Sequence, residues 1–247
     1  MAEHAGGSGD AGLSADAGLS GDAGAASHLP AMAHAAWPLL DLRITSGELE
    51  LRPVDEATAF ALAEILPDDV ELDPDAATYA LPDARDARRA VALQSHWRAH
   101  GDWRPEAWRI DFAVRRRGEL VGLQELEGSE FVRLRTVDSA SWLVPSARGQ
   151  GVGVGMRRAV LALAFGPLGA RAAVSSAWPD NDGSLGVSRA LGYRPNGEYL
   201  HARGDGVDTM VHLRLTREAW LAGAGASAAA RGVRIDGFDA CRPLFGL

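Results

Sequence analysis

The chain has 247 residues, 47% of them hydrophobic, and a formal charge of −8. That is enough apolar material for one sizeable core, and the acidic balance argues against a nucleic-acid partner while suiting a cationic amine. All 25 basic residues are arginine and Cys241 is the single cysteine, which excludes lysine Schiff-base chemistry, an internal disulfide and a cysteine-built zinc site.

Residues 1–36 are mostly Ala, Gly, Ser and Asp. They cannot bury enough surface to offset their ordering entropy and are expected to be a disordered tail. Neither a secretory signal nor an apolar run of about 18–20 residues is readable, so a soluble, cytoplasmic protein without a membrane partner is expected. One domain is expected over 37–222. A C-terminal extension over 223–247 is expected to pair with the sheet or with a second subunit in a homodimer.

Leu42–Pro53 alternates apolar and polar residues and reads as one strand, after which Asp55 opens a helix through Ile65. An acidic loop follows with Asp68, Asp69, Glu71, Asp73 and Asp75, and a second helix runs from about Asp83 to His100. Ile110–Val114 and Leu120–Leu126 form a predicted hairpin through Arg117-Gly118, and Val137–Val144 is a strand ended by Pro145. A glycine-rich turn precedes a helix over Met156–Phe165. Ala172–Ala177 is a strand, about Ser184–Leu191 a helix, and Glu198–Ala202 and Met210–Leu215 are the last strands. The order describes a mixed α/β sheet with a strand–turn–helix unit at the glycines. Trp97, Trp103, Trp108 and Trp142 fit core or dimer packing.

The turn reads Arg148-Gly149-Gln150-Gly151-Val152-Gly153, with a fourth glycine at Gly155. Glycines between a strand and a helix let the backbone approach a ligand. The helix N-terminus behind them offers unpaired N–H groups to an anion, and Arg148 adds a forked cation. A phosphate loop needs Gly-Lys-Ser/Thr, which a lysine-free chain lacks. A dinucleotide fingerprint starting at Gly151 would need a third glycine where Met156 stands.

The turn matches R/Q-x-x-G-x-G/A at every fixed position and resembles motif A of the GNAT acyltransferase superfamily. The segment Asn181-Asp182-Gly183-Ser184 through Leu191-Gly192-Tyr193 is similar to the N-x-x-S … L-G-F/Y helix of its ribosomal-protein and small-amine acetyltransferases. Leu49-Glu50-Leu51-Arg52-Pro53 is similar to that branch's first strand. The resemblance covers about Leu42–Leu215. It implies the GNAT α/β fold, a mixed and mostly antiparallel sheet with flanking helices. The implied activity is transfer of an acetyl group from acetyl-CoA to a primary amine by direct attack, with no metal. The chain ends, from Trp37-Pro38 and through Asp236-Gly237-Phe238, resemble an actinobacterial subgroup and imply succinyl-CoA as an alternative donor, with Arg133 or Arg135 as candidate cations for its carboxylate. A silent acyl-CoA-binding module is the alternative of another class.

The resemblance also implies site roles. The N–H groups of Gln150, Gly151, Val152 and Gly153, with Gly149 and Arg148 alongside, hold the pyrophosphate. The N–H groups of Leu143 and Val144 polarise the thioester carbonyl. Asn181 touches the pantetheine arm, and Ser184 protonates the thiolate; Ser188 stands where many relatives carry a tyrosine. For the base, strand spacing offers Glu125 first and Asp138 second, with Glu127 beside Glu125, His201 late in the chain, or a water chain.

Overall fold

The computed structural model describes residues 35–71, 81–223 and 232–247. Most of the tail expected over 1–36 lies outside the described residues, as do Asp73 and Asp75 of the acidic loop.

The stretch expected as one strand over Leu42–Pro53 is a hairpin. β1 (Arg43–Ser46) and β2 (Leu49–Pro53) pair antiparallel around Gly47. Gly47 takes a φ of 58°, a left-handed turn that glycine adopts without steric cost. Asp55 then caps α1 (Glu56–Glu64), accepting from the Thr58 N–H at 2.8 Å. Asp83 caps α2 (Ala84–Gly101) through the N–H groups of Arg85 and Asp86. Each cap contributes about 1 kcal/mol.

β3 (Trp108–Arg116) and β4 (Glu119–Gly128) extend the predicted hairpin at both ends. Arg117 and Gly118 have φ of 52° and 86°, the pair of positive values that a type I′ turn requires. The register slips between Val114 and Arg115, so that Val121 is an extra residue on β4. This bulge decides which side chains of β4 face the site.

The strand expected over Val137–Val144 is divided. Its first part, β5 (Thr136–Val137), pairs in parallel with β7 (Ala172–Ala177). Its second part, β6 (Ser141–Leu143), pairs with β4. With β8 (Arg194–Arg203), β9 (Gly206–Thr216) and β10 (Arg234–Asp236) the strands form two sheets, ordered β10-β1-β2-β3-β4-β6 and β5-β7-β9-β8. Among the described residues only β5–β7 is parallel. An isolated bridge between Glu127 of β4 and Asp138 joins the two sheets next to β5, and β6 pairs with β4 at the end of the first sheet.

Helix α3 (Val152–Phe165) begins four residues before the expected Met156 and packs against strands of both sheets. Its buried Met156, Val160, Leu161, Leu163 and Phe165 each contribute about 1.5–3 kcal/mol through burial. Gly153 and Gly155 lie inside this helix despite a cost of about 1 kcal/mol each relative to alanine. Their reason is packing. A Cβ on Gly153 would stand 3.1 Å from Val187 of α4 (Asp182–Ala190), and one on Gly155 would stand 2.7 Å from Leu49 of β2.

After β9 comes α5 (Arg217–Ala222), then the segment 232–247. β10 adds to the edge at β1, and Phe238, Cys241 and Phe245 are buried in the main core. Phe245 meets Trp103 and Trp108 edge-on at 5.4 and 4.9 Å. Among the described residues no helix is long and apolar enough to cross a membrane.

Candidate active site

Three pieces of chain converge where the sheets part: the glycine turn, β6, and the face of β3 and β4 that looks toward α2.

The turn takes its shape from glycine. Gly149 and Gly151 have φ of 71° and 77°, and a Cβ on either would meet nothing within 4 Å. Backbone conformation therefore selects glycine here, and crowding does not. Gly151 is the N-cap of α3, with no side chain bonded to the helix end. The N–H groups of Val152, Gly153 and Val154 thus have no carbonyl of the preceding turn to bond, at the positive end of a 14-residue helix. This is an anion site made of backbone. The side chain of Gln150 steadies the turn, donating to the Ser146 carbonyl and accepting from Arg116.

Arg148 is tied down on three nitrogens. Its Nε donates to the Leu143 carbonyl at 2.9 Å, and Nη1 and Nη2 bind both oxygens of Asp69, Nη2 at 2.8 Å. The hydrogen bond from Arg148 holds the Asp69 carboxyl below its ordinary value. The acidic loop thus reaches the start of the glycine turn at Arg148.

β6 offers one amide where two were expected. The Val144 N–H donates to the Val121 carbonyl at 2.9 Å and the Glu125 N–H to the Ala140 carbonyl at 2.8 Å. In an antiparallel ladder the amides alternate in direction, so with Leu143 opposite Gly122 the Leu143 N–H points away from β4. It faces the open edge of the six-stranded sheet. Val144 is therefore corrected: its amide is spent on β4, and Leu143 retains the expected donor.

Beside β6 lies a cleft of about 340 Å³. Asp111, Glu125 and Glu127 lie along its β3–β4 side, Val70 and Glu71 bound it from the acidic loop, and Ser141 and Trp142 bound it from β6. Asp111 stands directly opposite Glu125, and Arg109 opposite Glu127. Asp111 is buried and held from two sides: His96 Nδ1 lies 3.0 Å from one oxygen and Arg109 Nε 2.9 Å from the other. Arg109 is anchored in turn by the Ser95 carbonyl at 2.6 Å.

The half-buried Glu125 has its pKa raised to about 7, first by burial and then by the negative charge of Asp111, with Arg109 pulling the other way. Burial also raises Glu127, with Asp138 adding to it. Asp138 is raised by burial, against a 2.6 Å hydrogen bond from the Ser139 N–H. Asp138 pairs through its backbone with Glu127 but is not among the residues bounding the cleft. Of the two expected bases, Glu125 is the one that borders it.

Asn181 is the N-cap of α4, its side-chain oxygen accepting from the Ser184 N–H at 3.0 Å. Ser184 is half-buried in the first turn. Ser188, one turn on, is fully buried and its hydroxyl has no hydrogen-bond partner. His201 lies on β8, 5.7 Å from the ring of His212 and 6.3 Å from Trp178. Arg133 is exposed and paired with Glu130, and Arg135 stacks on Phe131; neither borders the cleft. Sequence reasoning missed Asp111, Arg109 and His96. Hairpin register was the available signal for Asp111, and the bulge at Val121 displaces it by one residue.

The sequence model of the family described as Acetyltransferase (GNAT) domain matches residues 48–194. Among solved structures, the chain is similar to Mycobacterium smegmatis RimJ in complex with CoA-disulfide. The TM-score is 0.60 at 21% identity, over 78% of this chain and 97% of that one. It is also similar to a variant of the SpeG spermidine N-acetyltransferase from Vibrio cholerae, with a TM-score of 0.55 at 14% identity, over 71% of this chain and 97% of that one. The mixed, mostly antiparallel architecture with flanking helices is the fold expected from the motifs.

Proposed function

The chain belongs to the GNAT acetyltransferase family of CoA-dependent N-acyltransferases, and from that premise we propose that it moves an acetyl group from acetyl-CoA to a primary amine, with Glu125 as the base. The observation that carries this reading is the placement of β6. Its Ser141 and Trp142 border the carboxylate cleft, while Leu143 leads into the anion-binding turn. Donor and acceptor therefore meet along three residues.

In this reading the backbone N–H groups of Gln150 to Gly153, with Gly149 giving the turn its shape, hold the donor's pyrophosphate, and Arg148 lies beside it. The thioester follows the open edge of the six-stranded sheet at β6. The Leu143 N–H donates to the thioester oxygen as it gains charge, an interaction whose loss typically costs about 10²–10³ in rate. The acceptor enters as an ammonium, drawn by Glu71, Glu125 and Glu127. A carboxylate with a pKa of about 7 is about half ionised near neutrality, and the ionised form accepts the ammonium proton. The freed nitrogen bonds to the thioester carbon, the carbon–sulfur bond breaks, the thiolate takes a proton from the Ser184 hydroxyl, and the second proton leaving the nitrogen restores that hydroxyl. Asn181 positions Ser184 by capping α4.

Release of free CoA in the presence of a panel of primary amines tests this. Glu125→Gln lowers kcat by about 10²–10⁴, the usual worth of a general base, and leaves the Kd for CoA unchanged. Turnover by Glu125→Gln equal to wild type removes Glu125 from the mechanism. A second reading, succinyl transfer, is favoured by Arg98, which is exposed, borders the cleft and has no ion-pair partner among the described residues. It would meet the distal carboxylate of that donor. Faster turnover of succinyl-CoA than acetyl-CoA, lost in Arg98→Ala, selects it.

A further inference from the structure

The described part of the acidic loop, residues 66–71, lies across the site. Arg88 on α2 holds it from behind, donating to the Pro67 carbonyl at 3.1 Å and to the Val70 carbonyl at 2.6 Å. Asp69 grips the guanidinium of Arg148 with both oxygens. Two residues on, Glu71 accepts from the Trp178 indole N–H and from Arg203 at 2.9 and 3.2 Å. Leu66, Val70 and Glu71 of the same stretch border the acceptor cleft. One short segment therefore touches the donor turn, the acceptor cleft and the β8–β9 hairpin.

The carboxylate is also badly placed for a donor. It stands on Arg148, the guanidinium that opens the turn at the N-terminus of α3. An Asp charge there occupies the guanidinium that would pair with a pyrophosphate. The pair is exposed, with 40% of the Arg148 side chain and 61% of the Asp69 side chain accessible, so water and salt weaken it and an incoming dianion competes well.

We propose that Asp69 is a stand-in anion for the donor: it holds Arg148 while the turn is empty, yields it to the pyrophosphate when CoA binds, and thereby loosens the segment that borders the acceptor cleft. The proposal rests on the reading above that the turn holds CoA. Asp69 is a positioning residue acting through Arg148, and no bond to carbon or sulfur is involved. Because the same loop borders the acceptor cleft, filling the donor turn changes the wall that the amine meets.

The test is calorimetric titration of free CoA into wild type, Asp69→Asn, Arg148→Ala and the double variant at low salt. Asp69→Asn binds CoA about two- to fivefold more tightly, the range that an exposed ion pair allows. The gain shrinks at high salt, Arg148→Ala binds more weakly than wild type, and the double variant equals Arg148→Ala. Hydrogen exchange of the 67–71 backbone speeds up when CoA is added to wild type and is already fast in Asp69→Asn. Equal or weaker CoA binding by Asp69→Asn overturns the proposal, as does the same gain in the Arg148→Ala background, or exchange that slows on CoA binding. Wild type that does not bind CoA at all overturns the reading beneath it, and this proposal with it.

Discussion

The glycine turn and the carboxylate cleft sit at opposite ends of β6 and are built from different materials. The turn uses backbone: two left-handed glycines, a bare helix end, and amides aimed by the φ angles of Gly149 and Gly151. The cleft uses side chains: carboxylates on neighbouring strands, one of them held by Arg109 and His96, with basicities set by burial and by each other's charge. A backbone site recognises a group common to every acyl-CoA and tolerates change in most side chains around it. A side-chain site is tuned residue by residue. The difference teaches that substitutions at the turn should change affinity as a step, and those in the cleft should shift pH dependence by degrees.

Gly151→Val breaks the comparison at its strongest point. A β-branched residue at a φ of 77° costs about 1–3 kcal/mol in strain, expected as a roughly 10- to 100-fold weaker Kd for CoA by calorimetry with circular dichroism unchanged. Unaltered affinity would mean that the turn is not the donor site. Asp111→Asn sharpens the other side. Glu125 is faced by Asp111, Glu127 and Asp138, which raise its pKa, and by Arg109, which lowers it. Removing the Asp111 charge moves the acid limb of kcat/KM from near pH 7 to lower pH, while CoA affinity is retained; a limb that stays in place assigns it to another group.

The smallest effect concerns stability. The folded pKa of Glu125 is raised from 4.5 to about 7, so ionisation opposes folding. Wild type loses stability as pH rises from about 4.5 through 7, and the loss levels off above that. Glu125→Gln, which carries no charge, should melt a few degrees above wild type at pH 8.5 and differ less at pH 5. Equal melting temperatures at both values would show that the carboxylate is well solvated.

This contrast also explains what could be read from the chain. The turn was legible because glycine identity encodes left-handed backbone directly, and so were the capping aspartates, Asp55 and Asp83. Glycines inside α3 were read as turn because their reason, contact with Leu49 and Val187, is tertiary. The break in Leu42–Pro53 lay in plain sight at Gly47, where alternation on both sides masked it. Glu125 could be suspected from alternation, but its partner could not. An unbulged hairpin through Arg117-Gly118 would set Gln124 opposite Asp111. The extra residue at Val121 turns Glu125 to that position, as bulges beside active sites commonly do. The choice between Leu143 and Val144 was a matter of parity, decided by register with β4 and absent from composition.

The pairing of β10 with β1 has a kinetic side. Arg43, Ile44 and Thr45 find their outer partners in Asp236, Ile235 and Arg234, across nearly the whole length of the described chain. Loop closure of that length delays folding, and contacts between remote segments form late. During synthesis β1 would emerge early and wait with one edge bare, the state in which strands join the wrong neighbour. Ser46-Gly47 and β2 cover only its other side. A truncation that removes 232–247 should therefore show itself first as aggregation during expression, before any loss of donor affinity can be measured.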